Sequence, residues 1–197
     1  MRGKFSKNQA AFTLIELMVV IAVLGILMAL VSGVQRYAQN KGRRSRAEVQ
    51  VAAFSAAAEA YKSDNAAYPR TSDTDAFSSV GSSGGETSSS AGLKANQTFY
   101  AMLSGDWDFD GIPDSSVSGS SSGPVSYMAI AASQLSVSDG KVRFLQDPWG
   151  KAFGYSTKRA SAIDAGADDA GAGHNVTFDL WSTAGNEKNE KAWIGNW

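Results

Sequence analysis

Two sets of carboxylates in this chain have types and spacings that could do chemistry. Asp106, Asp108, Asp110 and Asp114 stand in the order D-x-D-x-D-G-x-x-D, with Gly111 after the third acid. Alternating carboxylates on a tight turn can converge on a hard cation, the glycine permits the turn, and the carbonyl of Ile112 could add an oxygen. Calcium is the ion such a loop suits, although the acid usual at the twelfth loop position is replaced by Val117. Another ion, or an acidic turn that is only solvated, are the alternative readings. The second set is a single residue. Glu16 lies near the start of residues 12–34, a run otherwise apolar except for Thr13 and Ser32. A carboxylate in a membrane-spanning segment costs roughly 2.5 kcal/mol or more at the bilayer centre, so its default reading is functional. Paired with a cation in lipid or in a dry protein core, it would favour one partner at one offset. The bland alternative is that Glu16 sits near the interface and snorkels or is protonated.

Other chemistry is sparse. The chain has 197 residues, a formal net charge of -1, one histidine and no cysteine. Without cysteine there is no disulfide framework, thiolate metal site or lipoprotein anchor. With His174 alone, a multi-histidine metal site cannot form, and its sequence neighbourhood suggests a structural or solvent-facing role. The near-zero charge gives no basic surplus, and no nucleic-acid partner is expected. Ser, Asp and His all occur, but no nucleophile-elbow motif supports a hydrolase. No P-loop is present. The chain reads as a non-enzyme.

These carboxylates must be positioned by recognisable elements. Residues 1–11 carry Arg2, Lys4 and Lys7 and no acid, a positively charged leader. Residues 17–34 are uncharged and long enough to cross a bilayer as a helix. An ordinary signal peptide would have a shorter apolar core and a small-x-small cleavage site. A plain membrane anchor explains the length but not Glu16. Basic residues on both sides of the span leave orientation undecided by charge alone. No proline interrupts residues 12–68, so one helix over 12–62 is predicted. Its far half is Ala-rich, with Val49, Ala53, Ala56 and Ala60 on one face and Phe54, Ala57, Ala58 and Tyr61 alongside, a stripe suited to packing on a sheet. Asn65 and Pro69 stop it. Ser/Gly-rich stretches near 78–92 and 115–123 read as mobile loops. A short helix is predicted at 93–103 and strands at 125–131, 141–145, 152–156 and 176–182. Asp164, Asp168 and Asp169 read as solvated loop residues.

The run AFTLIELMVVIAVLGIL resembles the class III signal of type IV pilins and pseudopilins. The resemblance implies cleavage by a prepilin peptidase between Ala11 and Phe12, with N-methylation of Phe12 and retention of the apolar run. Glu16 would be the fifth mature residue, pairing with the amine freed on a neighbouring subunit. Ala11 stands where the family usually has Gly. The tail adds LQDPWGKAFGY and the ending IGNW, which look like the major, G-type pseudopilin of type II secretion. There Asp147, Pro148, Trp149 and Gly150 would form a turn that determines the fold. That family's closing loop binds calcium through aspartates. Residues 185–193 here contain none, and Glu187 and Glu190 are opposed by Lys188 and Lys191. The 106–114 loop, in turn, resembles those of EF-hand-like and thrombospondin-type calcium repeats.

The resemblance implies an α+β pilin-like fold, a long N-terminal helix packed against a small antiparallel sheet. Its parts would be a leader at 1–11, a transmembrane or filament-core helix at 12–35, a periplasmic half-stem at 36–69, a variable Ser/Gly-rich region at 70–139 and a β-sheet region at 140–197. It implies a structural subunit of a type II secretion pseudopilus, anchored once in the inner membrane with its head in the periplasm. The partners would be copies of itself, related minor pseudopilins, the prepilin peptidase, the inner-membrane assembly platform and, before assembly, the bilayer. A pilin-like subunit of a surface fibre, or an anchored calcium- or ligand-binding module that never polymerises, are the alternatives.

Overall fold

The computed structural model describes residues 12–80, 85–115, 124–167 and 169–197. The expected leader, Ala11 included, and most of the 115–123 tract lie outside them. Helix α1 is Leu14–Asn65, 52 residues and about 78 Å at 1.5 Å per residue. Asn65 ends it by donating from Nδ2 to the Tyr61 carbonyl at 2.9 Å, and Ala66 turns left-handed at φ 60. The chain divides into two compact units between Gly42 and Arg43.

In the first unit, residues 14–42 are the N-terminal part of α1, and every side chain described there is exposed. Length and composition make α1 able to cross a membrane.

The second unit holds the core. From α1 it takes Ala47, Val51, Phe54, Ala57 and Ala58, all buried, with Tyr61 packed against them. This corrects the predicted stripe, because Val49, Ala56 and Ala60 are exposed and Ala53 is half-buried. The phase is set by Phe54, which meets Phe99 and Phe153 edge-on at centroid distances of 6.3 and 5.3 Å. Alanine buries too little apolar area to compete with a phenyl ring for the core side.

After α1 come α2 (Ser72–Ala76) and α3 (Ser90–Ser104). Ser89 caps α3 by accepting from Gly92 N, and Gly105 closes it in the left-handed region at φ 75. Strands β1 (Leu135–Ser138) and β2 (Lys141–Leu145) form an antiparallel hairpin. Its turn residues Asp139 and Gly140 both have positive φ, 54 and 72, as a two-residue primed turn requires. Then follow β3 (Gly154–Ser156), α4 (Lys158–Asp164), β4 (Asp179–Ser182) and β5 (Ile194–Gly195). The sheet is in two pieces, β1-β2 and an antiparallel β3-β4-β5.

The α+β layout matches the expectation, with three corrections. Residues 125–131 form no strand: Tyr127 N is committed to the Leu103 carbonyl at 2.8 Å and Ser126 bonds locally to the Met128 carbonyl, while β1 starts later. The described part of the 78–92 tract is not a loose loop. Ser79 and Thr87 are buried, Ser79 Oγ donates to Asp179, and Gly85 N donates to the Ser78 carbonyl at 2.8 Å. Asp164 is not merely solvated, since it pairs with Arg70.

Asn96, fully buried on α3, ties the end of β2 to the residue before β3. Its Nδ2 donates to the carbonyls of Leu145 (3.1 Å) and Phe153 (2.8 Å), and its Oδ1 accepts from Leu145 N at 2.7 Å. Phe99 stacks on Tyr155 at 4.0 Å. A smaller cluster of Phe77, Ala95, Trp181 and Trp193 lies beside this core.

Candidate functional site

The first expected site is the start of α1. Phe12 is exposed, and the helix begins two residues later. Thr13 and Glu16 form a reciprocal cap. Thr13 N and Oγ1 donate to Glu16 Oε2 at 2.8 and 2.9 Å, and Glu16 N donates back to Thr13 Oγ1 at 3.3 Å. This is a capping box, T-x-x-E, which satisfies orphan donors of the first turn and places the carboxylate at the positive end of the helix dipole. Thr13 was missed in the sequence, although the T-x-x-E spacing before an apolar run was its signal.

The second is the acidic loop after α3. Asp106, Asp108 and Asp110 bring one carboxylate oxygen each to within 4.8 Å of one another. Asp106 is fully buried, the other two exposed. Asp106 Oδ2 accepts from Tyr100 Oη at 2.6 Å and Gly111 N at 2.8 Å, and Oδ1 accepts from Asp110 N at 3.2 Å. Asp108 Oδ1 also accepts from Asp110 N, at 3.0 Å. Ile112 N donates to Asp110 Oδ1 at 2.8 Å. Left-handed backbone at Phe109 and Gly111, φ 62 and 89, folds the loop so that these acids converge. Asp114 stands outside the cluster and accepts from Trp107 N at 2.8 Å. Burial, with Asp106 against its hydroxyl, holds the Tyr100 phenol well above the usual tyrosine range. Three carboxylates on one turn fit a hard divalent cation, with Lys141 Nζ 3.9 Å from Asp108 Oδ2 as a competing charge.

The third is the tail. Asp147 Oδ1 accepts from Trp149 N and Lys151 N, both at 2.9 Å, and Oδ2 accepts from Ser182 Oγ at 2.5 Å. Burial raises its pKa against the lowering effect of these donors. Pro148 and Trp149 are half-buried, and Gly150 takes the left-handed region at φ 76. In the closing loop, Glu187 is held by Ser88 Oγ at 2.8 Å. Glu190 Oε1 lies 3.0 Å from His174 Nε2, and the imidazole stacks on Trp197 at 4.0 Å. Glu187 and Glu190 thus serve different partners and are not gathered as ligands.

The class of N-terminus is recognisable from here. Residues 6–32 match the prokaryotic N-terminal methylation motif. Over its N-terminal region the chain is homologous to proteins named type II secretion system core protein G. The Pseudomonas aeruginosa protein is 43% identical over 65 residues, 33% of this chain and 46% of the relative. That of Klebsiella michiganensis is 42% identical over 67 residues, 33% and 46%. That of Pectobacterium carotovorum subsp. carotovorum is 38% identical over 69 residues, 35% and 44%. The chain thus spans about half the length of these curated relatives. No solved structure matches the chain.

Proposed function

We propose that this chain is a structural subunit of a type II secretion pseudopilus. A prepilin peptidase would cut between Ala11 and Phe12, and the new Phe12 amine would be methylated. The subunit would wait in the inner membrane with its head in the periplasm. It would then polymerise through α1 with copies of itself and related minor pseudopilins on an inner-membrane assembly platform. The chain's role is mechanical rather than catalytic, and the drive for assembly comes from a separate ATPase.

One observation carries this reading. Inside the matched methylation motif, the only charged residue of the apolar run stands at the first turn of α1, the fifth residue counted from Phe12. An amine exposed by cleavage at Phe12 on one subunit and Glu16 on the next are complementary in a medium where an unpaired carboxylate is costly. Intact mass of the protein from its native host tests the processing step. A species beginning at methylated Phe12 is expected, and a protein that keeps residues 1–11 refutes it. Glu16→Ala should abolish incorporation into filaments while leaving membrane insertion intact, and unchanged incorporation would favour a plain anchor.

Calcium is proposed as the ion of the acidic loop, with Asp106, Asp108 and Asp110 as its side-chain ligands and the Ile112 carbonyl as a further oxygen. Convergence of the three carboxylates supports it. Calcium titration of the protein should raise its melting temperature, and an Asp108→Ala/Asp110→Ala variant should lose that response.

A further inference from the structure

Residues 186–197 are held by side chains more than by secondary structure. Strand β5 is two residues long and the 3-10 turn Glu190–Ala192 is three, too short to stand on their own backbone bonds. Their ties come from elsewhere in the head. Arg44 of α1 donates to the Ala192 carbonyl at 3.3 Å, and Ser88 Oγ donates to Glu187 at 2.8 Å. Trp193 fills the space beside Gly85 that a Cβ would need. One further tie carries a proton that solution can remove. His174 Nε2 is shut away from solvent and faces Glu190 Oε1 at 3.0 Å. The imidazole lies nearly flat on Trp197, with centroids 4.0 Å and planes 15° apart, and Trp197 folds over Gly195 of β5.

We propose that His174 is a proton-operated clasp on this segment. Histidine is the side chain whose ordinary range falls between about pH 5 and 8, and the chain has one. A neutral ring with its proton on Nε2 keeps one bond to Glu190. A neutral ring with its proton on Nδ1 turns a lone pair on the carboxylate. The imidazolium always presents N–H at Nε2, sets a charge opposite Glu190 and becomes a cation against the Trp197 indole. The docked segment therefore holds the proton more tightly than the open one. By linkage, the hold is strongest in acid and weakens as pH rises through the titration of the ring.

The charged groups around His174 come from three elements. Glu190 faces the ring from the 3-10 turn, and with Lys191, Asn189 and Trp197 it lines an open cleft of about 490 Å³. Asp179 of β4 accepts from His174 N at 2.8 Å, and Arg159 of α4 donates to the His174 carbonyl at 2.9 Å. These last two contacts are to the backbone of His174, so Glu190 is the acid set against Nε2. The cleft lets protons reach the pair, and the exposure of Glu190 screens it enough to keep the effect modest. Because Arg44 grips the same 3-10 turn, the state of the clasp reaches α1 within the head. The inference concerns the head alone and stands apart from assembly and from the acidic loop.

The test is amide hydrogen exchange by NMR on the full-length protein in detergent, with labelled histidine in the same sample. The amides of Ala192, Trp193 and Asn196 donate to the carbonyls of Asn189, Glu190 and Leu180. Their protection should rise about fivefold between about pH 7.5 and pH 5.5, once intrinsic exchange is divided out. The rise should follow the titration curve of the single imidazole signal. The amides of Val142 and Phe153, bonded to the carbonyls of Phe109 and Leu145, should not change. In Glu190→Gln, and separately in His174→Gln, the ratio should fall to about one. Protection that does not change with pH, or does not follow the imidazole curve, overturns the proposal. So does a rise that survives Glu190→Gln, or one that spreads equally to Val142 and Phe153, which would make it a property of the whole head.

Discussion

Asp106 and Asp108 are two residues apart in one acidic loop, yet removing their charges should have very different consequences. Asp106 is fully buried and accepts three hydrogen bonds, from Tyr100 Oη at 2.6 Å, Gly111 N at 2.8 Å and Asp110 N at 3.2 Å. Asp106→Asn keeps shape and volume, so no cavity term enters. It removes the charge and turns one acceptor into a donor. Placing the amide nitrogen at Oδ2 sets it against Tyr100 and Gly111, and placing it at Oδ1 sets it against Asp110 N–H. A charge-assisted bond contributes about 1.5–3 kcal/mol and a neutral one about 0.5–1.5. Weakening two bonds and losing the third gives about 2–4 kcal/mol in all, allowing for non-additivity. For a folding unit of this size that is about 5–15 °C in Tm. Asp108 is exposed, and Asp108→Asn should move Tm by no more than about 2 °C without metal. Near-UV circular dichroism melts of the full-length protein in detergent with chelator would measure both. With 1 mM calcium the Asp108→Asn deficit grows, although Asp106→Asn remains the more destabilised of the two. A site with a Kd of about 0.1–1 mM would stabilise the wild type by about 0.4–1.4 kcal/mol, and Asp108→Asn should lose that increment. Equal losses for the two variants in chelator would refute the division between a buried structural acid and an exposed ligand.

Three further outcomes follow from the packing. Gly154 faces Trp181 across β3 and β4, and a Cβ there would lie 2.1 Å from the indole, so Gly154→Ala should cost about 1–3 kcal/mol in urea unfolding through overpacking. Ser182→Ala removes the buried donor to Asp147 Oδ2 and should cost about 1–3 kcal/mol in the same assay. Tyr100 and Tyr155 both have phenols raised above 10, first by burial. A raised folded pKa gives stability that is full below the unfolded value near 10 and is lost as pH rises through the folded value. Thermal melts between pH 9 and 12 should therefore lose stability more steeply in the wild type than in Tyr100→Phe.

Much of this was legible in the sequence wherever one residue type dominated locally. Absence of proline over residues 12–68 and the stop at Asn65 placed α1, expected over 12–62, to within three residues at each end. The Asp139-Gly140 turn placed β2, whose bounds agree with the expectation. What stayed hidden depended on distant partners. Asn96 carries no sign in its helix that it will bond Leu145 and Phe153, about fifty residues away. The helical phase of residues 47–61 could not be read from alanines, because two registers carry similar apolar area until Phe54 finds Phe99 and Phe153. Strand β5 is two residues long, too short for any periodicity, and rests on β4 for its register. The Ser-rich tract looked unable to order itself, and by itself it is. Ser79 and Thr87 are buried because Asp179 and the closing loop supply partners from the far end of the chain.

The two acidic features that opened the sequence also differ in how local they are. The loop's convergence needs Tyr100 and left-handed backbone at Phe109 and Gly111, none of which the D-x-D-x-D-G spacing specifies by itself. The geometry of Glu16 needs only Thr13, three residues away. Within a single chain its carboxylate already has two donors, so it is not an unsatisfied acid waiting in an apolar helix. Both donors go to Oε2, so a neighbour's amine can meet Oε1 without displacing them. The gain from that charged partner is realised only at the axial offset that brings the amine to the first turn. A carboxylate with local donors rewards correct register without making every monomer in the bilayer costly, which would suit the proposed subunit, stable alone before it assembles.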